Sequence, residues 1–150
     1  MTVILGNYEH HVDLRRRPTE AESALILKSL KWLPADEQSL MRAVYARKTP
    51  VAHVARLMGE SPVALRRRIR AIVRRVLSPA FQYAALRRDR LSPSMRRVAT
   101  SCILHGVSLR DASEELKMSY HTARRHRSVI LGLVDAERRA PAGAESAWRV

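Results

Sequence analysis

The sequence contains two copies of one pattern, and this repeat constrains the fold more than any other feature. Residues 33–72 align without a gap on residues 91–130, so each position of the first copy corresponds to a position 58 residues later. Few residues are identical, but the pattern is shared: a first helix, a short second helix, a tight turn, a serine and a long basic helix. We therefore expect two copies of one three-helix unit.

The spacing of the apolar residues predicts helices almost throughout the chain. Alternating β-branched residues, which favour strands, are nearly absent. Helix start and stop signals divide the pattern into elements. The predicted N-caps are Thr19, Ser61, Ser78, Ser92, Ser108 and Ser119, and the predicted glycine stops are Gly59 and Gly106. The sequence thus predicts an all-α fold.

These signals divide the chain into five parts. They are an N-terminal arm and helix (1–32), a first repeat unit (33–77), a connecting helix (78–90), a second repeat unit (91–137) and a flexible tail (138–150). We expect a connecting helix rather than a loose linker because Ser78 caps it and Phe81, Ala84 and Ala85 are available for packing.

The charge of the chain favours a polyanionic partner. The formal net charge is +14, from 28 basic and 14 acidic residues. A surface with this field attracts nucleic acid. The first unit carries ten basic and three acidic residues, whereas residues 91–134 carry seven and three, so we expect the first unit to dominate binding.

The sequence gives no sign of a membrane segment or of secretion. No apolar run approaches the roughly 18 residues of a spanning helix, and no signal-peptide pattern opens the chain. The single cysteine, Cys102, permits no internal disulfide and fits a reducing compartment. We predict that Cys102 is part of the core, and we expect a cytoplasmic protein associated with the nucleoid, with no membrane partner.

The long basic helix of the first unit has two different faces. At about 100° per residue, one stripe is apolar and the opposite side carries most of the arginines. The predicted inward residues are Leu65, Ile69, Ile72, Val73 and Val76, and the predicted outward residues are Val63, Arg66, Arg67, Arg70 and Arg74. A helix that enters the major groove needs this division, because it packs on its own domain while it presents donors to bases and phosphates.

Both units resemble the helix-turn-helix of region four in bacterial sigma factors. In the first unit the matching elements are Val54-Ala55, Met58-Gly59, Ser61 and Leu65, and in the second they are Ala112-Ser113, Leu116-Lys117, Ser119 and Ala123. The opening segment, residues 33–48, is also similar to the first helix of that module. The resemblance covers about 90 of the 150 residues. It implies two tandem helix-turn-helix units.

Two departures from the sigma-factor pattern limit what the resemblance implies. Lys117 stands where the first copy has its turn glycine, Gly59. No segment resembles the parts of a sigma factor that bind the polymerase core and melt promoters. We therefore do not expect a complete sigma factor.

The resemblance implies a set of DNA-contacting positions. Sigma-like modules place the first outward positions after the cap against bases. The predicted DNA-binding residues are Ser61, Val63, Arg66, Arg67, Arg70, Arg74, Ser119, Tyr120, His121, Arg124 and Arg125. The basic triplet Arg15, Arg16 and Arg17 is either a minor-groove arm or a solvated terminus.

The hypothesis from sequence is a sequence-specific protein that binds double-stranded DNA and regulates transcription. We expect no enzymatic activity, cofactor or metal site, because no catalytic constellation, glycine-rich phosphate loop or set of metal ligands can be recognised. Two alternatives remain open. One is a sigma-like adaptor that binds RNA polymerase or another protein, and the other is the DNA-binding subunit of a recombinase or transposase. The sequence does not determine the oligomeric state, so it leaves open whether the protein forms a homo-oligomer.

Overall fold

The computed structural model describes residues 17–140, and every regular element in this range is helical. The prediction of an all-α fold is confirmed. The helices are α1 (Glu20–Ser29), α2 (Ala35–Met41), α3 (Val51–Met58), α4 (Pro62–Val76), α5 (Pro79–Leu86), α6 (Pro93–Val98), α7 (Leu109–Glu115) and α8 (Tyr120–Arg139). Helix α8 extends two residues beyond Glu137, where the sequence predicted its end.

The helices begin where the capping signals predict. The Thr19 hydroxyl accepts from the Glu22 backbone N–H, and the Glu22 carboxylate accepts from the Thr19 N–H at 2.7 Å, which completes the capping box. Every predicted serine cap accepts a hydrogen bond from the backbone N–H three residues later. These caps are Ser61, Ser78, Ser92, Ser108 and Ser119. Each satisfies an N–H group that has no partner within its own helix.

Irregular backbone features recur at the same separation of 58 residues. A 3₁₀ turn at Leu30–Trp32 corresponds to one at Arg88–Arg90. A π-helical turn at Arg42–Ala46, which continues α2, corresponds to one at Ala99–Leu104, which continues α6. The two halves of the chain therefore share backbone conformation as well as sequence pattern.

The left-handed residues recur as well, with the side chains exchanged. Gly59, at φ 70°, corresponds to Lys117 at φ 53°, and Lys48, at φ 53°, corresponds to Gly106 at φ 71°. Each half thus places one glycine and one lysine at its two left-handed positions. Because a left-handed conformation is unfavourable for a residue with a Cβ atom, the surrounding fold must hold both lysines in it.

Helix α5, predicted as the connecting helix, is buried along most of its length. Five consecutive residues are buried, namely Phe81, Gln82, Tyr83, Ala84 and Ala85. The helix packs against the π-helical turn Ala99–Leu104 and against α8, as α1 packs against the turn Arg42–Ala46 and against α4. In the second half of the chain, α5 therefore occupies the place that α1 has in the first.

One hydrophobic core runs through both halves. It includes Ile26 on α1, Leu65 on α4, Phe81 on α5 and Ile130 on α8, none of which exposes more than a trace of its surface. The polar side chain of Gln82 lies inside it and donates to the carbonyl of Val76 at 2.7 Å and to the Ser29 hydroxyl at 3.3 Å. The halves are therefore packed together rather than joined by a flexible linker.

The ends of the chain lie outside the described residues. This applies to most of the predicted arm, including Arg15 and Arg16, and to residues 141–150 of the predicted tail. Arg17 is described and exposed. Between residues 17 and 140, no helix is both long enough and apolar enough to cross a bilayer.

Candidate nucleic-acid interface

Helix α4 divides its six arginines into two groups. Arg66, Arg67, Arg70 and Arg74 are exposed, and none of them has an acidic partner among the described residues. The opposite stripe, which begins at Leu65, is buried. The predicted inward and outward faces of this helix are therefore confirmed, and the outward face keeps four uncompensated positive charges.

The other two arginines of α4 bind carboxylates of their own unit. Arg68 contacts Asp36 at 2.9 Å and Glu60 at 3.4 Å. Arg75 donates to Glu37, and both of these side chains are largely shielded from solvent. These two arginines hold α4 on α2 and on the turn before α4, so they are structural. Sequence reasoning did not identify them, because their partners Asp36 and Glu37 lie more than thirty residues earlier in the chain.

The start of α4 presents an apolar side chain beside the arginines. Ser61 uses its hydroxyl oxygen to accept from the Ala64 N–H at 3.1 Å. Val63, in the first turn, exposes 62% of its surface. Two turns later, Arg70 Nε donates to the carbonyl of Arg66 at 3.4 Å. Hence Val63 and the arginines lie on one exposed surface, which we call the α4 face: Val63, Arg66, Arg67, Arg70 and Arg74.

Helix α8 carries the second predicted set in a similar position. Tyr120, His121, Arg124 and Arg125 are all exposed, and the rings of Tyr120 and His121 meet edge to face with centroids 6.5 Å apart. The Ser119 hydroxyl accepts from the Thr122 N–H and donates to the Thr122 hydroxyl at 2.8 Å. Ser119 is therefore engaged as a helix cap. We call the exposed set Tyr120, His121, Arg124 and Arg125 the α8 face.

Arg127 occupies the position that corresponds to the buried Ile69 of the first half. Its side chain is exposed, so it reaches the edge of the helix instead of entering the core. Its charge acts on Cys102, which is half-buried and packs against the core. Burial raises the pKa of the Cys102 thiol, while Arg127 opposes that rise and Glu115 adds to it.

The two helices that precede α4 and α8 differ in charge. Helix α3 carries Arg56 and no acidic residue, whereas α7 carries three exposed acids, Asp111, Glu114 and Glu115. In a helix-turn-helix the helix before the recognition helix lies across the nucleic-acid backbone, where carboxylates repel phosphates. The first half thus has no acidic residue on the helix before its basic helix, whereas the second half has three.

The remaining reactive side chains do not form a site of their own in the described part of the chain. No three His, Cys, Asp or Glu residues between positions 17 and 140 lie close enough together to hold a metal ion. Burial raises the pKa of the Tyr45 and Tyr83 hydroxyls, with smaller contributions from Glu22 and Glu137, respectively. Both tyrosines belong to the packing of the helices rather than to the α4 or α8 face.

Comparison with protein-family models, with curated proteins and with solved structures finds no match for this chain. The resemblance to sigma-factor region four therefore depends on the residues and spacing of the sequence alone.

Proposed function

We propose that this protein binds double-stranded DNA through two helix-turn-helix units and regulates transcription. The observation that carries the proposal is the division of arginines on α4: two are paired with carboxylates, and the four on the α4 face are not. Arginines that only served solubility would have no reason to be sorted in this way. Guanidinium groups on one face of an exposed helix suit guanine edges and backbone phosphates.

The two ends of the α4 face have different proposed roles. Val63, Arg66 and Arg67 lie in the first two turns after the cap, where a recognition helix meets base edges. Val63 suits the methyl group of thymine, and Arg67 suits the paired acceptors of guanine. Arg74, two turns further along, is suited to a phosphate, which carries no sequence information.

The test compares Arg67→Ala with Arg74→Ala on a duplex selected from a random pool and on a scrambled duplex. We expect Arg67→Ala to weaken binding to the selected duplex by about 1–3 kcal/mol and to reduce the sequence preference at one base pair. Arg74→Ala should weaken both duplexes alike and make the salt dependence shallower by about 0.9 in log affinity per log salt.

Arg139→Ala is the matched control, because it removes one exposed charge at the far end of α8. It should change neither duplex preference nor the salt slope. A salt-independent affinity, or equal effects of the Arg67 and Arg139 variants, would contradict the proposal.

A second candidate function concerns the second half only. The exposed acids of α7 disfavour contact with phosphates and favour a protein partner, such as RNA polymerase. The double change Arg124→Ala with Arg125→Ala distinguishes the candidates. Loss of affinity and of one of two protected segments about 10 base pairs apart supports DNA reading by both halves. Unchanged affinity with weaker polymerase binding supports the adaptor.

A further inference from the structure

A pocket of about 300 Å³ opens on the second half of the molecule, and none of its lining residues belongs to the α4 or α8 face. Its wall is formed by the 3₁₀ turn Arg88–Arg90, by α6 with its π-helical turn, and by the end of α7. Three arginines line it, Arg88, Arg96 and Arg97, together with the hydroxyl of Thr100 and the imidazole of His105. The volume is at the lower end of the range for small-molecule sites.

Each of the three guanidinium groups is held by a neutral acceptor. Arg88 Nη1 donates to the Thr100 hydroxyl at 3.0 Å, and the Arg88 guanidinium also lies over the Trp32 ring, 5.3 Å from its centroid. Arg96 Nε donates to the carbonyl of Arg88 at 2.7 Å, and Arg97 Nη2 donates to the carbonyl of Leu116 at 3.0 Å. The groups are therefore oriented without being neutralised, and several N–H donors stay available.

The one carboxylate at the pocket does not pair with these arginines. Glu115 accepts a hydrogen bond from the Ser101 hydroxyl at 3.3 Å, and no ion pair joins Glu115 to an arginine of the pocket within residues 17–140. Three guanidinium groups and one carboxylate leave two positive charges uncompensated. In the first half, by contrast, the partly buried arginines Arg68 and Arg75 are both paired with acids.

The pocket is not a by-product of the repeat. The positions that correspond to Arg88, Arg96 and Arg97 in the first half are Leu30, Gln38 and Ser39, none of which is charged. The first half folds without arginines at these positions, so the shared helical pattern does not require them in the second half. Oriented and uncompensated guanidinium groups around a concave surface are the arrangement that binds phosphate oxygens.

We propose that this pocket binds a small molecule that carries one or two phosphate groups. Arg88, Arg96 and Arg97 contact the phosphate oxygens, and the rest of the pocket accepts the organic part. Because Arg88 also covers Trp32, which follows α1, and Arg97 holds the turn before α8, the ligand lies where several elements meet. The proposal does not depend on the proposed function, because none of the residues that line the pocket belongs to the α4 or α8 face.

The test uses the full-length protein and pyrophosphate as the probe. Pyrophosphate is titrated by calorimetry. The potassium chloride concentration is lowered as pyrophosphate is added, so that the ionic strength stays constant. We expect saturable binding at one site. Arg96→Gln, which introduces the residue that the first half has at this place, should weaken binding at least tenfold. Arg97→Gln, at a more exposed position, should also weaken pyrophosphate binding. It replaces Arg96→Gln in the test if that variant does not fold.

Arg47→Gln is the matched control, because it removes one exposed charge from the first half at the position that corresponds to His105. Its pyrophosphate affinity should stay within twofold of that of the unchanged protein. Absence of saturation, or equal weakening by the Arg96 and Arg47 variants, would overturn the proposal, because either result indicates only a diffuse positive field.

DNA phosphates offer the same chemistry as the phosphates of a small ligand. Measuring duplex binding by the same variants distinguishes the two. We expect Arg96→Gln and Arg47→Gln to bind a selected duplex with affinities within threefold of each other. If Arg96→Gln instead lowers duplex affinity tenfold and leaves pyrophosphate binding unchanged, the pocket holds a backbone phosphate and the small-molecule proposal is wrong. Failure of duplex binding by the unchanged protein, with normal pyrophosphate binding, would reject the proposed function alone.

Discussion

At the scale of single residues, Gly59 and Gly106, the two glycines with positive φ between residues 17 and 140, have different surroundings. A Cβ atom on Gly59 would meet nothing within 4 Å, whereas one on Gly106 would lie 2.5 Å from Nη1 of Arg75. The Arg75 guanidinium cannot move freely, because it is bound to Glu37. Gly106 therefore allows a close approach between the two halves, while Gly59 only allows a turn.

We predict that Gly106→Ala destabilises the protein more than Gly59→Ala. Both changes should cost about 1–2 kcal/mol for the left-handed conformation. Gly106→Ala should cost more because it also displaces Arg75 from its pair with Glu37. Urea unfolding of both variants measures the difference in the free energy of unfolding. Equal losses would indicate that Arg75 adjusts without cost.

The sequence predicted which side chains of α4 are buried and which are exposed, but it did not predict which of its arginines bind carboxylates. The helical period alone places Leu65 inside and Arg67 outside, and the structure agrees. The same period gives no reason why Arg68 and Arg75 bind acids while Arg67 does not. That outcome depends on where α2 packs, which is a tertiary contact.

At the scale of elements, helix α5 buries five consecutive residues, one of which is the polar Gln82. The amide of Gln82 satisfies the carbonyl of Val76, which lies at the end of α4 and has no partner within that helix. Gln38 on α2 makes a similar bond, to the carbonyl of Leu33 at 2.9 Å, but it is only half-buried. The two glutamines thus differ mainly in their access to water.

We predict that Gln82→Leu lowers the free energy of unfolding by about 1–3 kcal/mol, because it leaves a buried carbonyl without a hydrogen bond. Gln38→Leu is the matched control and should cost less, since water can replace the lost donor. Thermal unfolding followed by circular dichroism measures both. A loss for Gln38→Leu as large as that for Gln82→Leu would contradict this account of α5.

The helix boundaries were largely predictable, because caps act locally. A serine three residues before its N–H partner can be recognised from sequence, and all five predicted serine caps are present. The π-helical turns at Arg42–Ala46 and Ala99–Leu104 were not predicted. Such turns have no local sequence signal, and here they lie where α1 and α5 pack against the chain.

At the scale of the whole molecule, the shared core implies a single unfolding unit. Besides the apolar core residues, the side chains that connect the halves in the described part of the chain include Gln82 within the core, Arg88 over Trp32, and Arg75 against Gly106. The repeat in the sequence suggested two modules with a connector, since repetition does not reveal whether the copies share an interior. The burial of α5 answers that question within the described residues.

We predict one cooperative thermal transition for the full chain. The calorimetric enthalpy of unfolding should equal the van't Hoff enthalpy, as in a two-state domain. A second probe is the rate at which Cys102 reacts with a thiol reagent, since this side chain is half-buried in the second half. Its exposure should follow the same transition as the circular dichroism signal. Two separate transitions would show that the halves unfold independently.

The buried helix α5 has one more consequence if both basic faces meet one duplex. A flexible tether would let the second face search for its target over a range of spacings, but a helix packed into a common interior fixes the separation and the angular phase of α4 and α8. The protein would then bind only when its two target segments lie on the same side of the duplex. Half a turn of DNA inserted between the two target segments would carry one of them to the far side of the duplex, where the rigid protein could not follow.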